Sequence, residues 1–132
     1  MTALPPIRVL LVDDSAVVRG AIGKILEAER DIKVVTTAPN GQMALDALRH
    51  TEIDVVLLDV EMPVMDGITA LPLILSAHPK TRVIMTSSLT QQGAAITMQA
   101  LALGATDYIS KPSARAGGTA LAALAGEIVS KV

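Results

Sequence analysis

Residues 54–63 have the sequence DVVLLDVEMP, in which four successive apolar residues are followed by a carboxylate. The run 55–58 predicts a fully buried β-strand, because it is too short for a helix and lacks the alternation of a half-exposed strand. Met62-Pro63 then favours an extended exit, since the residue before a proline avoids the helical region. Asp59 is therefore expected where a buried strand opens into a loop, at the edge where parallel α/β sheets bind ligands.

The alternation of a short apolar run and a helical pattern recurs along the whole chain. It predicts five strands, over residues 7–12, 32–37, 55–58, 82–85 and 107–110. It also predicts five helices, over residues 16–29, 42–50, 67–77, 92–103 and 119–131, with a loop at 113–118 before the last. Such alternation is typical of one doubly wound α/β domain, a (βα)5 fold with a parallel sheet covered by helices on both faces. The second strand is expected at an edge of the sheet.

Some helix boundaries can be predicted in more detail. Ser15 is a candidate N-cap, and the first helix is expected to bury Val17, Ala21, Ile25 and Leu26. Pro72 lies inside the third helical pattern, and proline is accepted only in a first turn. The third helix is therefore expected either to begin late, near residues 69–71, or to be kinked, and a distorted first turn is favoured. Gly104 is expected to end the fourth helix in a left-handed conformation.

Composition excludes several classes of function. The 132 residues predict a single domain of residues 1–132, and they contain no Phe, no Trp, no Cys and one Tyr, so the core must be aliphatic. A net charge of −2 and the lack of aromatic residues argue against nucleic acid as a partner. The absence of cysteine excludes a disulfide scaffold and a thiolate metal site. No apolar run approaches membrane-spanning length, so we expect no membrane partner and a cytoplasmic location.

Chemically active side chains follow four of the five predicted strands. Asp13 and Asp14 follow the first strand, Asp59 ends the third, hydroxyl residues 86–88 follow the fourth, and Lys111 follows the fifth. Three carboxylates at one sheet edge repel one another, and a hard divalent cation relieves this repulsion. Mg²⁺ prefers oxygen ligands and often takes one or two protein carboxylates plus a phosphate. We expect Mg²⁺ or Mn²⁺ there, with the backbone carbonyl of Glu61 as a further ligand.

A lysine and a hydroxyl that face a metal-bound carboxylate suit an incoming phosphoryl group. The metal and the ammonium neutralise the phosphoryl oxygens while the hydroxyl donates a hydrogen bond. Asp59 would attack in line to give an acyl phosphate, and a carboxylate nucleophile needs no added base. Spacing to Lys111 favours Ser87 as the hydroxyl, and Thr86 or Ser88 takes its place if the strand end is shifted by one residue.

The chain resembles response-regulator receiver domains over about residues 7–131. The matching segments are VDDS at 12–15, LLDVEMPVMDG at 57–67, Ser87, GATDY at 104–108 and KP at 111–112. The resemblance implies a flavodoxin-like receiver fold with strand order 2-1-3-4-5 and a histidine-kinase phosphodonor. It implies the following residue roles: Asp59 as phosphoacceptor; Asp13, Asp14, Asp59 and the Glu61 carbonyl at the metal; Ser87 and Lys111 at the phosphoryl group; and a cis Lys111-Pro112 bond.

Within that family the chain is most similar to the receivers of chemotaxis methylesterases. DSAVVR at 14–19, VEMPVMDG at 60–67 and MTSSLT at 85–90 carry this resemblance. It implies a chemotaxis kinase as phosphodonor and an N-terminal receiver that a linker joins to an esterase domain. The chain has no Gly-x-Ser-x-Gly motif, so we do not expect esterase activity of its own. It is either a domain fragment or a free-standing regulator that acts through protein contacts.

Two outer helices are unusually poor in charge. The helix predicted at 92–103 has no charged residue, and the last helix has only Glu127 and Lys131. One interpretation is a partner surface formed by the fourth helix, the fifth strand and the last helix. The other is that their many alanines are too small to form a strong patch. By the resemblance, Tyr108 and Ser87 form a switch that moves inward on phosphorylation and alters this surface.

Two other functions compete with a phosphorylated switch. Asp59-Val60-Glu61 superficially resembles the nucleophile and acid pair of an aspartate-dependent phosphatase. Such enzymes need a second acid two positions on and usually a cap insertion, and 132 residues leave little room for the insertion. A scaffold that keeps the fold without being phosphorylated is the other alternative, and the intact set of acids argues against it.

Overall fold

The computed structural model describes residues 6–60, 62, 64–87 and 91–110 of the chain. In this part strands and helices alternate along the sequence. They are β1 (Ile7–Val12), α1 (Ala16–Glu27), β2 (Ile32–Ala38), α2 (Gly41–His50), β3 (Val55–Asp59), α3 (Gly67–Ala77), β4 (Arg82–Ser87), α4 (Gln91–Ala102) and β5 (Asp107–Ser110). The loop and helix predicted for residues 113–131 lie outside the described residues.

The five strands form one parallel sheet in the order β2-β1-β3-β4-β5. The order that the family resemblance implied is therefore confirmed, and so is the edge position of β2. β3 occupies the centre, and all five of its residues are buried. A central parallel strand is covered on both faces, which explains its continuous apolar run.

The core has two layers, one on each face of the sheet. Along β3, Val56 and Leu58 pack in the layer that contains buried residues of α2, α3 and α4. Val55 and Leu57 pack in the opposite layer with Ile22 of α1. Both layers are aliphatic, as the composition predicted. Among the described residues, no helix combines the length and the hydropathy needed to cross a bilayer.

The buried side of α1 differs from the prediction at Val17 and at Ile22, which was not among the residues expected to be buried. Val17 is 82% exposed, whereas Ile22 and Leu26 are buried. Residues 22 and 26 are four apart, so the stripe that faces the sheet continues back to the half-buried Val18. Val17 lies about 100° away from Val18 around the helix and points to solvent.

The start of α3 excludes one of the two predicted alternatives. The helix begins at Gly67 and not near residues 69–71, because Asp66 caps it: its Oδ1 accepts a hydrogen bond of 2.8 Å from the Thr69 N–H. Pro72 therefore lies in the helix interior, on the exposed side, and not in the first turn. Gly104 follows α4 with φ of +114°, which confirms the predicted left-handed residue.

Candidate functional site at the carboxyl edge of the sheet

The carboxyl ends of β1 and β3 bring three acids together. Asp13 and Asp14 follow β1, Asp59 ends β3, and the two strands are neighbours in the sheet. One carboxylate oxygen from each of the three lies within 4.8 Å of the others. Asp13 and Asp59 are each 1% exposed, whereas Asp14 is exposed to solvent. The predicted meeting of these acids at one edge is confirmed.

The turn between β1 and α1 is held by hydrogen bonds at several points. The Asp13 N–H donates to the carbonyl of Ala38 at 3.1 Å, which ties the turn to β2. The Ser15 N–H donates to Asp13 Oδ1 at 2.9 Å, and Ser15 Oγ accepts from the Val18 N–H at 3.2 Å. Ser15 is thus the N-cap that the sequence predicted. Arg19 Nη1 donates to the main-chain carbonyl of Asp13.

Asp59 is fixed by the neighbouring strand and by the start of α3. It is aligned with Thr86 of β4, and the next amide, that of Val60, donates to the Thr86 carbonyl at 3.0 Å. The Gly67 N–H donates to the Val60 carbonyl at 3.0 Å. The chain after Asp59 therefore folds back, so that the first residue of α3 packs on the end of β3.

The loop between β3 and α3 is anchored to α2. The Gly41 N–H, at the start of α2, donates to the Met65 carbonyl at 3.0 Å. Just before this contact, Val64 adopts φ of +67°, a left-handed conformation that is unfavourable for a β-branched residue. Backbone strain of this kind persists only where the surrounding contacts fix it, and here it lies in the loop that follows Asp59.

The acid cluster fits a hard divalent cation. Its donors are all carboxylate oxygens, and their spacing allows one ion to contact all three. Two of the three carboxylates are withdrawn from water, so the repulsion between them is only weakly screened by solvent. A dication placed among them relieves that repulsion. The described part of the chain therefore offers a site whose chemistry matches Mg²⁺ or Mn²⁺.

The other predicted site residues are described to different extents. Ser87 is the last residue of β4, aligned with Ser110 of β5. Thr86, one of its two alternatives, is buried at the position opposite Asp59. Tyr108 lies on β5 at the sheet edge and is partly exposed. Glu61, Ser88, Lys111 and the Lys111-Pro112 bond lie outside the described residues, so their roles stay predictions.

Two residues that contact the site were not singled out in the sequence. Arg19 and Gly67 had been named only as the last residues of the segments 14–19 and 57–67, which resemble other receivers. Arg19 lies four residues after the N-cap, the spacing that returns a side chain to the same face of a helix. That spacing is a signal in the sequence, whereas the approach of Gly67 to β3 depends on the path of the whole loop.

A five-stranded parallel sheet of this order, with three acids clustered at its carboxyl edge, is typical of receiver domains. Residues 9–122 match the response regulator receiver domain family. The chain belongs to this family.

The relatives of the chain indicate which kind of receiver domain it resembles within this family. It is 58% identical over 111 residues to protein-glutamate methylesterase/protein-glutamine glutaminase 1 of Paramagnetospirillum magneticum, covering 84% of the chain and 29% of that protein. It is 48% identical over 127 residues to the corresponding enzyme of Azospirillum brasilense, covering 96% of the chain and 32% of that protein. The chain thus spans about a third of the length of these relatives, the part that contains their receiver.

Two solved structures support the assignment of the chain to the receiver family. The response regulator domain of Thermotoga maritima CheB superposes with a TM-score of 0.85 and 45% identity, covering 96% of the chain and 92% of that structure. The CheX-CheY-BeF3-Mg²⁺ complex of Borrelia burgdorferi gives a TM-score of 0.77 and 32% identity, covering 96% and 87%. The chain is a response regulator receiver domain of the CheB type.

Proposed function

We propose that Asp59 accepts a phosphoryl group from the phosphohistidine of a histidine kinase. The observation that carries this proposal is the position of Asp59: it is buried at the end of the central strand, with a carboxylate oxygen within 4.8 Å of Asp13 and Asp14. A buried acid beside two others has little structural purpose, because the three repel one another. It is well placed to act with a cation and an anionic phosphoryl group.

Mg²⁺ would be held by Asp13, Asp14 and Asp59, together with the backbone carbonyl of Glu61. When bound, the ion neutralises charge on the phosphoryl oxygens and so lowers the barrier to attack by an anion. The Borrelia burgdorferi complex, whose aligned chain is 32% identical, contains both Mg²⁺ and BeF3. BeF3 has the shape and charge of a phosphoryl group, so this relative supports the same pairing of cation and phosphoryl group here.

The transfer forms one bond to phosphorus and breaks another. A carboxylate oxygen of Asp59 attacks phosphorus, the P–N bond to the donor histidine breaks, and its electron pair leaves on the imidazole ring. The product is an acyl phosphate on Asp59. Ser87 and Lys111 hold the phosphoryl oxygens by hydrogen bonding and charge. An ionised carboxylate is already a competent nucleophile, so no base is required.

The output of phosphorylation would be a change of contacts on the surface of α4, β5 and the last helix. The described part of that surface exposes Met98, Leu103 and Tyr108 and carries no charged residue on α4. Ser87 and Tyr108 would couple the phosphoryl group to it. Tyr108→Ala and Ala95→Glu test this surface: both should weaken partner binding or the response to phosphorylation, and unchanged values for both would exclude it.

The regulated partner would be a methylesterase domain, by the names of the curated relatives. A chemotaxis kinase in the cytoplasm would supply the phosphoryl group. A free-standing regulator that acts only by protein contact is the alternative. Binding of the phosphorylated chain to a separately expressed methylesterase domain of a relative, compared with unphosphorylated chain, distinguishes the two.

The experiment that tests the acceptor is an intact-mass measurement after incubation with acetyl phosphate and Mg²⁺, beside Asp59→Asn. We expect a phosphoryl mass increase only in the wild type, lost with a metal chelator and reversed by hydroxylamine, which cleaves acyl phosphates. If neither acetyl phosphate nor a phosphorylated histidine kinase gives this increase, the scaffold alternative holds. Continuous turnover of small phosphate esters would instead indicate the phosphatase.

A further inference from the structure

The guanidinium of Arg19 contacts the main chain of the turn between β1 and α1, which contains Asp13 and Asp14. Arg19 lies in the second turn of α1, is half buried, and donates from Nη1 to the main-chain carbonyl of Asp13. A guanidinium has several N–H donors in a rigid plane, so it holds an acceptor in a defined direction. This bond joins α1 directly to the first residue of the acid pair.

Asp13 is held by two further hydrogen bonds. Asp13 Oδ1 accepts from the Ser15 N–H at 2.9 Å, and the Asp13 N–H donates to the Ala38 carbonyl at 3.1 Å. The Arg19 N–H in turn donates to the Ser15 carbonyl at 2.9 Å. Asp14 stands between Asp13 and Ser15, so its backbone is fixed at both neighbours although its side chain is exposed.

We infer that Arg19 is a positioning residue for the cation site: it fixes the backbone of Asp13 and Asp14 so that their carboxylates converge with Asp59 before a cation arrives. The inference rests on the proposed Mg²⁺ site and deepens it. Groups that orient metal ligands from outside the ligand shell commonly contribute about 10–100-fold to metal affinity. Arg19 would do so through a carbonyl, which leaves the carboxylates of the turn available to the ion.

Removal of Arg19 should change the Mg²⁺ affinity in opposite directions for a positioning role and for a purely electrostatic role. A positive side chain near three carboxylates repels a dication, so Arg19 acting only as a charge would weaken Mg²⁺ binding. Its removal would then tighten binding. Arg19 acting by position predicts the reverse, since loss of the hydrogen bond frees the turn and the ligands must be ordered by the ion itself. One substitution therefore gives opposite results under the two readings.

The variants follow from this contrast. Arg19→Met keeps most of the apolar stem and removes both charge and donor, whereas Arg19→Lys keeps the charge and an N–H donor. Lys24→Met is the matched control, because it removes one positive charge from an exposed position of the same helix. Mg²⁺ alone is the probe, and the chemical shifts of the amides of residues 13–15 report its dissociation constant.

We expect Arg19→Met to bind Mg²⁺ about tenfold more weakly than the wild type, Arg19→Lys to recover most of that loss, and Lys24→Met to bind at least as tightly as the wild type. Equal or tighter binding by Arg19→Met overturns the inference. If the wild type itself shows no Mg²⁺-dependent shifts, the proposed cation site fails instead.

A second measurement needs no metal. The Ser15 amide, bonded to Asp13 Oδ1, should exchange its hydrogen with solvent about tenfold faster in metal-free Arg19→Met, the factor typical of losing a hydrogen bond from a charged donor. Lys24→Met should leave that rate unchanged. An unchanged Ser15 rate in Arg19→Met contradicts positioning, whatever the metal titration gives. Circular dichroism and unfolding curves confirm that each variant is folded in these comparisons.

Discussion

A Cβ atom on Gly67 would overlap the carbonyl oxygen of Asp59 and stand 3.0 Å from its carbonyl carbon. The first residue of α3 thus packs directly on the backbone of the central acid. Contact at this distance is with main chain, which cannot rotate away as a side chain could. The absence of a side chain at residue 67 is therefore a condition for the position of Asp59 and for the start of α3.

Gly67→Ala should destabilise the domain and slow phosphorylation of Asp59. The added methyl must push α3 away from β3 or displace the end of β3, and overpacking of this kind typically costs about 1–3 kcal/mol. A shift of the acceptor by about 1 Å can reduce a rate by about 100-fold. Urea unfolding followed by circular dichroism measures the first effect, and the rate of mass increase with acetyl phosphate and Mg²⁺ measures the second.

Gly20→Ala is the matched control for that change. Gly20 lies within α1, and a Cβ added there would have no neighbour within 4 Å. Alanine should stabilise this helix by about 0.5–1 kcal/mol, because glycine loses more backbone entropy on folding. The two glycine substitutions should therefore shift stability in opposite directions. Wild-type stability and phosphorylation rate in Gly67→Ala would contradict the close packing of α3 on Asp59.

The second prediction concerns the effect of the backbone conformation of Val64 on stability. Val64 is 84% exposed and adopts φ of +67°, a conformation that costs an L-residue about 1–2 kcal/mol and that glycine adopts freely. Val64→Gly should therefore stabilise the domain, by up to about 1 kcal/mol after the entropy cost of glycine is subtracted. Thermal unfolding followed by circular dichroism measures the change.

Val17→Gly provides the comparison for Val64→Gly. Val17 is equally exposed, at 82%, but it lies in the first turn of α1. Glycine should lower stability there by about 0.5 kcal/mol, because it is a poorer helix former than valine. If Val64→Gly destabilises the domain as much as Val17→Gly does, the left-handed conformation of Val64 is not strained in solution.

Much of the fold could be predicted because local and global signals agree. The apolar run before Asp59 is long enough for a strand and too short for a helix, and its burial on both faces follows from a parallel sheet. Ser15 before α1 and Gly104 after α4 mark helix ends through chemistry that a sequence displays directly. Acids that follow adjacent strands must then meet at one edge.

The remaining features depend on distances that a sequence does not contain. Val17 and Val18 are both apolar, and only the phase of α1 against the sheet decides which one is buried. The contact between Gly67 and Asp59 requires the path of the whole loop. The bond from Arg19 to Asp13 requires the angle at which α1 leaves β1. These tertiary contacts surround the acids, so they matter most at the site.

The third prediction concerns Pro72, which lies in the interior of α3. A proline has no N–H to donate in a helix, and relative to alanine it costs about 3 kcal/mol in an isolated helix interior. Pro72 is exposed, so its replacement removes little packing. Pro72→Ala should raise the free energy of unfolding by about 1 kcal/mol or more. Leu73→Ala, at the next position on the partly exposed side, should not raise the free energy of unfolding. A loss of stability in Pro72→Ala would mean that packing of the proline ring stabilises the domain.

The acid cluster makes the last prediction, which concerns stability in the absence of phosphorylation. Mg²⁺ binds the folded chain and not the unfolded one, so a concentration ten times its dissociation constant should stabilise the wild type by about 1.4 kcal/mol, a rise of about 5 °C in Tm. Asp14→Asn removes one of three carboxylates whose oxygens lie within 4.8 Å. Without metal this variant should be more stable than the wild type, by at most about 1 kcal/mol, because repulsion at that distance is relieved.

With Mg²⁺ the order should reverse, since Asp14→Asn has lost a charged ligand and gains little from the ion. Glu29→Gln changes an exposed acid just after the end of α1 and is the control: it should show the full rise in Tm of the wild type. Differential scanning calorimetry measures the Tm of each variant without Mg²⁺ and its rise in MgCl2, with NaCl of the same ionic strength as the reference. A wild-type Tm that rises equally in the two salts would mean that the three carboxylates tolerate their proximity without binding the ion, because screening alone would then account for the gain.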